Sequence, residues 1–336
     1  MTREKSNNRG SALVLALGVL ALVALFGTAM YRYSSLELDD YMVDLNKDRA
    51  YLDAKSGVEH GIAELQAAIA SGNVDSVVNN INNPVEPLRL NLYKLANRTP
   101  DAVNQTPVTD ERYTSTVSLK ISDESARMNV NLAPPAVLMS ILKIDGEKAR
   151  QIRERLPRLD GSVAENENRR WLSSVDELAS LPLLQDDTAK LTEERKADLT
   201  TFTALDIKAP AGFVNLNTAS KPVLEAALAV TPEVADKVML ARPLSSLDAL
   251  VAAAGKGPDT FNFKPAADNP GGMPKELAFS SRCYRIRSEA VLTRSSSGQE
   301  VRAIVEAVVQ FPENEAPRIV YWNKPPVGAA ATTTAK

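Results

Sequence analysis

The sequence predicts an α+β chain in which a long N-terminal helix packs on a small antiparallel sheet and a large all-α segment is inserted between the strands. Three observations carry that expectation. An uncharged run over 11–31 continues at helical spacing to about residue 70. An internal repeat fills the middle of the chain. Alternating apolar runs flank that repeat on both sides.

The N-terminal helix comes first. From Gly10 to Tyr31 there is no charge, and from Ser11 onward nearly every side chain is apolar, a length that crosses a bilayer as a helix. Ahead of it Arg3, Lys5 and Arg9 stand against one acid, Glu4, which favours a cytoplasmic start. No proline occurs from Ser11 to Asn83, and Leu38, Tyr41, Leu45, Val58, Ile62, Leu65 and Ile69 recur at three- and four-residue steps, the period of a helix with one apolar face. A helix is expected over 11–71, with 11–31 in the membrane and Ser71 and Gly72 at its end. Sixty residues at 1.5 Å each make it roughly 90 Å long. The same run has two other readings: a plain single-pass anchor, or a secretory signal cut after Gly27, Thr28 and Ala29, whose small residues suit signal peptidase. A discarded signal has no use for the continuation past Arg32.

Residues 79–110, rich in Asn and Pro, are expected to be a linker or long loop. The stretch "RYTSTVSLKIS" (112–122) then places Tyr113, Val117, Leu119 and Ile121 at alternate positions, as a half-buried strand does. It closes a first part of the sheet domain over 72–125.

The repeat follows, within an expected helical insert at 126–278. "MNVNLAPPAVL" (128–138) aligns without gaps to "VNLNTASKPVL" (214–224), matching Asn129, Asn131, Ala133, Val137 and Leu138. Glu147 then falls on Glu233, Ala149 on Ala235 and Pro157 on Pro243. The first copy inserts fourteen residues after Pro157 and resumes as "LSSVDEL" (172–178) against "LSSLDAL" (244–250). The two units span about 128–182 and 214–254. Each reads as three short helices. Prolines suit a first helical turn, a second helix follows near Glu147–Leu156, and Ser173 or Ser174, with Ser245 or Ser246 in the second copy, caps the third. Residues 255–278 read as a loop. "CYRIRSEAVLTR" and "EVRAIVEAVVQF", joined by "SSSG", form a hairpin that supplies a second part of the sheet domain over 279–312. The Ala/Thr-rich end places a disordered tail at 313–336.

Composition narrows the function. A net charge of -3 with 24% charged residues gives no strongly nucleic-acid-binding surface. One cysteine, Cys283, excludes an intramolecular disulfide, and one histidine, His60, excludes a Cys/His metal cluster and any His-based triad within the chain. No catalytic constellation is found and no enzyme is expected. Cys283 is expected to be a partly buried strand residue and His60 a surface or packing residue. The loop "LDGSVAENEN" gathers Asp160, Glu165, Asn166, Glu167 and Asn168 around Gly161. These are hard oxygen donors of the kind calcium takes, though the spacing is not that of the helix-loop-helix calcium motif. The loop is either a solvated acidic turn or a calcium site at Asp160, Glu165 and Glu167; no other cofactor is expected.

Two resemblances add to this reading. The repeats resemble the helix-hairpin-helix module, which on many proteins binds DNA backbones through a glycine-bearing hairpin. Here "KIDG" keeps only Gly146 and "AVTP" has none, while Lys148, Arg150, Arg153 and Arg155 are interleaved with Glu147 and Glu154. Mixed charge of that kind describes a solvated face, so nucleic acid is not an expected partner. The leader, the Gly10-Ser11 step and the helix behind it resemble the type IV pilin class. Within it, "RAYLDAKSGVEHGIAEL" (49–65) and "NxNxA" repeats inserted between strands resemble the K-type minor pseudopilin of type II secretion, over nearly the whole chain.

That resemblance implies a prepilin leader at 1–10, cleavage by prepilin peptidase between Gly10 and Ser11, and methylation of the Ser11 amine. Leu15 stands where pilins in general carry a glutamate, and the K-type branch is known for lacking it. The resemblance further implies a bacterial inner-membrane protein with a periplasmic C-terminal domain, working at the tip of the pseudopilus in export of folded proteins across the outer membrane. The implied partners are other minor pseudopilins, the inner-membrane secretion platform and secreted substrates. The competing functions are a membrane-anchored DNA receptor and a minor pilin of a type IV pilus.

Overall fold

A computed structural model describes residues 8–82, 113–158, 169–184, 191–202, 214–294, 298–313 and 315–325, the side chains of 8–12 and 39–40 excepted. Helix α1 (Asn8–Ser71) runs unbroken for 64 residues. It ends in a left-handed Gly72 (φ 70°), with Gly72 N–H donating to the Ile69 carbonyl at 3.3 Å and Asn73 N–H to that of Ala68 at 2.9 Å. That pair of bonds satisfies carbonyls the helix would otherwise leave open. Helix α2 (Val74–Asn82) follows and lays Val74, Val78 and Ile81 against the sheet core. Residues 79–82, expected in a linker, are thus helical because Ile81 continues the helical spacing of Val74 and Val78 onto the sheet core; 83–112 lie outside the described residues.

Strand β1 (Tyr113–Asp123) leads into the insert. There the chain forms β2 (Met128–Asn129), helices α3 (Pro135–Leu142), α4 (Gly146–Arg155), α5 (Val175–Ala179) and α6 (Glu193–Ala197), and β3 (Leu199–Thr200). The second unit follows as β4 (Val214–Asn215), α7 (Lys221–Leu228), α8 (Pro232–Leu240), α9 (Leu247–Ala254) and β5 (Leu277–Ala278). β2 pairs in parallel with β3, and β4 with β5. Each unit therefore closes on its own entry strand and extends past the sequence-read boundaries of 182 and 254.

The NxN motif is what ties each unit together. Asn129 accepts from Asn131 N–H at 2.8 Å. The Asn131 amide then donates to the Leu172 carbonyl at 3.0 Å and accepts from Leu172 N–H at 2.9 Å. In the second copy Asn215 accepts from Asn217 N–H, and the Asn217 amide makes the same pair with Leu244 at 2.9 and 2.7 Å. An arginine closes each unit, Arg153 of α4 onto the Ala133 carbonyl and Arg242, two residues past the end of α8, onto that of Ala219. Ser174 and Ser246 cap α5 and α9. α3 packs on α7, and both copies share one apolar core through Val137, Leu138, Ile152, Val223, Leu224 and Val238. The segment 255–278 is largely irregular, as a loop reading expects, apart from a 3-10 turn at Pro258–Thr260 and β5, but it is packed into the fold. Phe261 is fully buried and Phe263 nearly so, and Asn262 donates to the Ala226 carbonyl, because two aromatics among the prolines seek the insert's core.

The chain returns as β6 (Cys283–Arg294), β7 (Glu300–Gln310) and β8 (Arg318–Asn323). The sheet order is β1-β6-β7-β8, every neighbour antiparallel. Tyr284 lies opposite Asp123, so the insert leaves and re-enters at one end of the sheet without disturbing its register. β8 corrects the expectation of disorder over 313–336. "RIVYWN" pairs with β7, Trp322 packs on the sheet core and Tyr321 meets Phe202 at 5.2 Å; 326–336 lie outside the described residues. Cys283 is fully rather than partly buried, because it starts an inner strand of the sheet at the end where the insert joins it.

α1 packs across the sheet on a stripe of small residues. Ala50 and Ala54 are fully buried, and a Cβ on Gly57 would lie 2.2 Å from Ser288 Oγ and 2.7 Å from Val117 Cγ1. Gly57→Ala is therefore expected to cost about 1–3 kcal/mol through a helix pushed off the sheet. Gly18→Ala, with nothing within 4 Å of its Cβ, costs nothing. Thermal melts of the detergent-solubilised full chain compare the two.

Candidate functional site

Two features stand out from an otherwise closed fold: the free half of α1 and the junction where the insert meets the sheet. On α1, Leu13, Leu17, Leu20, Val23, Phe26 and Met30 are all more than half exposed, as are Tyr31 and Tyr33. The window of highest apolar content has a mean hydropathy of 2.5, and none of it is buried in the fold. Such a stretch is stable only in lipid or against other helices. The Thr28 hydroxyl donates to the carbonyls of Ala24 and Leu25 at 3.0 and 2.9 Å, so its polar group is satisfied inside the helix, as hydrocarbon requires. Gly10 and Ser11 lie in the opening turns of α1, and Leu15 is exposed on the bare segment. His60, farther along α1, is partly buried, 4.0 Å from Glu64.

At the junction, two consecutive carboxylates hold the insert. Asp123 ends β1 and accepts from Ser125 N–H, the Asn215 amide, the Thr218 hydroxyl and the Ser281 hydroxyl at 2.8, 2.8, 2.5 and 2.5 Å. These donors come from the start of the insert, its second unit and its return to the sheet. Burial nonetheless pushes the Asp123 carboxyl up from its ordinary value, against those hydrogen bonds. Glu124 is fully buried. It accepts from Arg285 Nε and Nη2 at 2.9 and 2.8 Å and from the Thr200 hydroxyl at 2.6 Å. Burial pushes Glu124 up, but Arg285, with Arg127 and Thr200, outweighs it and holds the carboxyl below its ordinary value. Arg285 also pairs with Glu306 and lies over the rings of Phe202 and Tyr321, 5.8 and 5.9 Å from their centroids. Sequence reading missed this cluster. Its members are spread over 200 residues of chain, and their only local signal is an acid pair at the end of a strand.

The left-handed position of each hairpin turn is not a glycine, although the first hairpin keeps Gly146 at the start of α4. Lys143 and Ala229 adopt the left-handed conformation at φ 55° and 50°, so each presents a Cβ where close approach of a phosphate needs none. Asp145 accepts from Lys148 N–H at 2.8 Å and fills the N-terminus of α4 with a carboxylate, in the place an anion would take. Arg150 is paired with Glu147 and Glu154. Arg153 is buried, its guanidinium pushed down to about 10 by burial and by Arg169. The calcium candidates Asp160, Glu165 and Glu167 lie outside the described residues. Among the described residues no group of three or more His, Cys, Asp or Glu side chains is placed to hold a metal ion.

No protein-family model matches the chain, and neither does any curated protein. Among solved structures, a chain of the GspK-GspI-GspJ complex from the enterotoxigenic Escherichia coli type 2 secretion system is similar. The match covers 83% of this chain and 99% of that one, at 13% sequence identity and a TM-score of 0.43.

Breaking a buried ion pair from one side is strongly destabilising. Glu124→Gln is expected to lower stability by about 3 kcal/mol and to change its pH dependence. Because the folded state holds Glu124 below its ordinary 4.5, the stabilisation is complete above that pH and is lost as pH falls through the depressed value. The acid limb of the wild-type profile should flatten in the variant. Asp123 titrates in the opposite sense in both proteins, so the difference between the two Tm profiles isolates Glu124.

Proposed function

We propose that the chain is a K-type minor pseudopilin, at or near the tip of a type II secretion pseudopilus, without enzymatic activity. The observation that carries this is the division of α1. One continuous helix has a bare apolar half fit first for a bilayer and then for a helical filament core, and a second half locked onto a sheet by Ala50, Ala54 and Gly57. A secretory signal or a plain anchor has no need of rigid continuity between the two.

In this reading the leader 1–10 lies in the cytoplasm and prepilin peptidase cuts between Gly10 and Ser11. The Ser11 amine is then methylated, and the sheet and insert stand in the periplasm on the outer side of the inner membrane. In pilin-like filaments the usual glutamate pairs with the terminal amine of the neighbouring subunit. Leu15 offers no carboxylate for that charge-assisted bond. A subunit lacking it suits a position with nothing above it, and the insert, rising from one end of the sheet, obstructs stacking there. Other minor pseudopilins would meet the exposed side of α1, where Leu36, Leu38, Tyr41 and Leu52 are uncovered. Secreted substrates and the inner-membrane platform complete the expected partners. The DNA-receptor reading loses ground to Asp145, which caps the hairpin helix with a negative charge. A type IV pilus minor pilin would share the helix and the processing, and gene neighbours separate it from the secretion reading.

Intact-mass and N-terminal peptide analysis of protein from its host membranes should find a start at Ser11 carrying one methyl group. A start after Ala29, or an uncut Met1, overturns the proposal. Leu15→Glu should leave secretion near wild type, since a tip subunit gains a carboxylate it does not use; severe loss of secretion from that change alone argues against the tip position.

A further inference from the structure

Between the outer face of the sheet and the first helical unit lies a cleft of about 550 Å³, floored by β1, β6 and β7 and walled by α5, α6 and Phe202. Three carboxylates reach it and each is spoken for: Glu306 by Arg285, and Asp176 and Glu193 by Lys196. Arg127 lies 3.7 Å from Glu124. Two cations on the floor are left over. Lys120 and Arg287 stand directly opposite each other on β1 and β6, and neither makes an ion pair among the described residues. The carboxylate facing Arg287 across the next strand is Glu306, already held by Arg285. Like charges directly opposite on one sheet face destabilise the pair, and here they do so at the base of a cleft with an aromatic wall. Phe202 and Tyr321, tilted at 47° to one another with ring centroids 5.2 Å apart, lie together on one side of the Arg285 guanidinium.

We propose that this cleft binds an extended acidic peptide segment of a partner protein, its carboxylates answering Lys120 and Arg287 and an apolar side chain packing on Phe202 and Tyr321. A void of this size fits an organic ligand rather than a bare inorganic anion, and the pairing of aromatic wall with unmatched cations calls for apolar and acidic groups in one ligand. The site is independent of the pseudopilin reading, since none of its residues belongs to α1. Carboxylates of a bound segment would offset the repulsion between Lys120 and Arg287.

The probe is a short fluorescein-labelled peptide alternating glutamate with phenylalanine, titrated with the detergent-solubilised full chain and followed by fluorescence polarisation. Saturable binding is expected, lost to a peptide alternating lysine with phenylalanine and weakening as salt is raised. The double variant Lys120→Gln, Arg287→Gln should bind about tenfold more weakly, near 0.7 kcal/mol for each charge. Its Tm should be unchanged or higher, because the repulsion is gone. The single exposed Lys120→Gln change should weaken binding part-way. Lys221→Gln, removing a lysine paired with Asp236 elsewhere on the insert, should bind like wild type. Equal binding by wild type and double variant overturns the proposal. So does displacement of the peptide by inorganic phosphate at equal concentration, which would make this a small-anion site.

Discussion

Asp123 and Glu124 sit where an eleven-residue strand gives way to a large helical insert, and the attachment of that insert depends on them. Asp123 gathers donors from both ends of the insert and from its second unit. Glu124 reaches back through Arg285 to the sheet and through Thr200 to the exit strand of the first unit. The two carboxylates bear their burial differently. Asp123 has only neutral donors, and its carboxyl is pushed up; Glu124 has a guanidinium in bidentate contact, and its carboxyl is held down. A buried charge without a counter-charge is costly to hold, so the firmer hold comes from Glu124. An insert tied by one flexible linker would swing freely. This one is tied at the end of β1, at the start of β6 and at its own exit strand, within a few residues of one point.

On the other face of the sheet the constraint is steric. Ala50, Ala54, Gly57 and Gly61 let the backbone of α1 approach the strands so closely that Gly57 has no room for a methyl group. Close approach is how a helix gains dispersion contacts along its whole length, and it fixes the direction in which the bare apolar half projects. The acid Asp53 lies in the same contact, buried and bonded to Ser115. The two faces divide the labour of the fold: one holds the long, partly bare apolar helix rigidly, and the other presents the insert and the cationic cleft beside it.

The periodic parts of this protein are legible in the chain alone. The uncharged run and the three- and four-residue steps after it read as one helix because helical spacing is a local property, and the α+β class followed from that helix, the repeat and the alternating strands. The helical units were legible through Asn131 and Asn217, although the reason for the motif was not. Each amide completes a pair of hydrogen bonds to a leucine 41 or 27 residues away, and the offset differs because of the fourteen-residue insertion. Polar residues that bond across such distances leave no periodic trace. Three features arise only from such contacts in the folded chain: the exit strands that close each unit, Phe261 drawn into the core from an apparent loop, and β8 recruited from an apparent tail by Trp322 and Tyr321. The turn at Ala229 shows the limit from the other side. Its missing glycine predicts an altered hairpin, yet packing of the two flanking helices holds alanine in a left-handed conformation that its own preferences oppose.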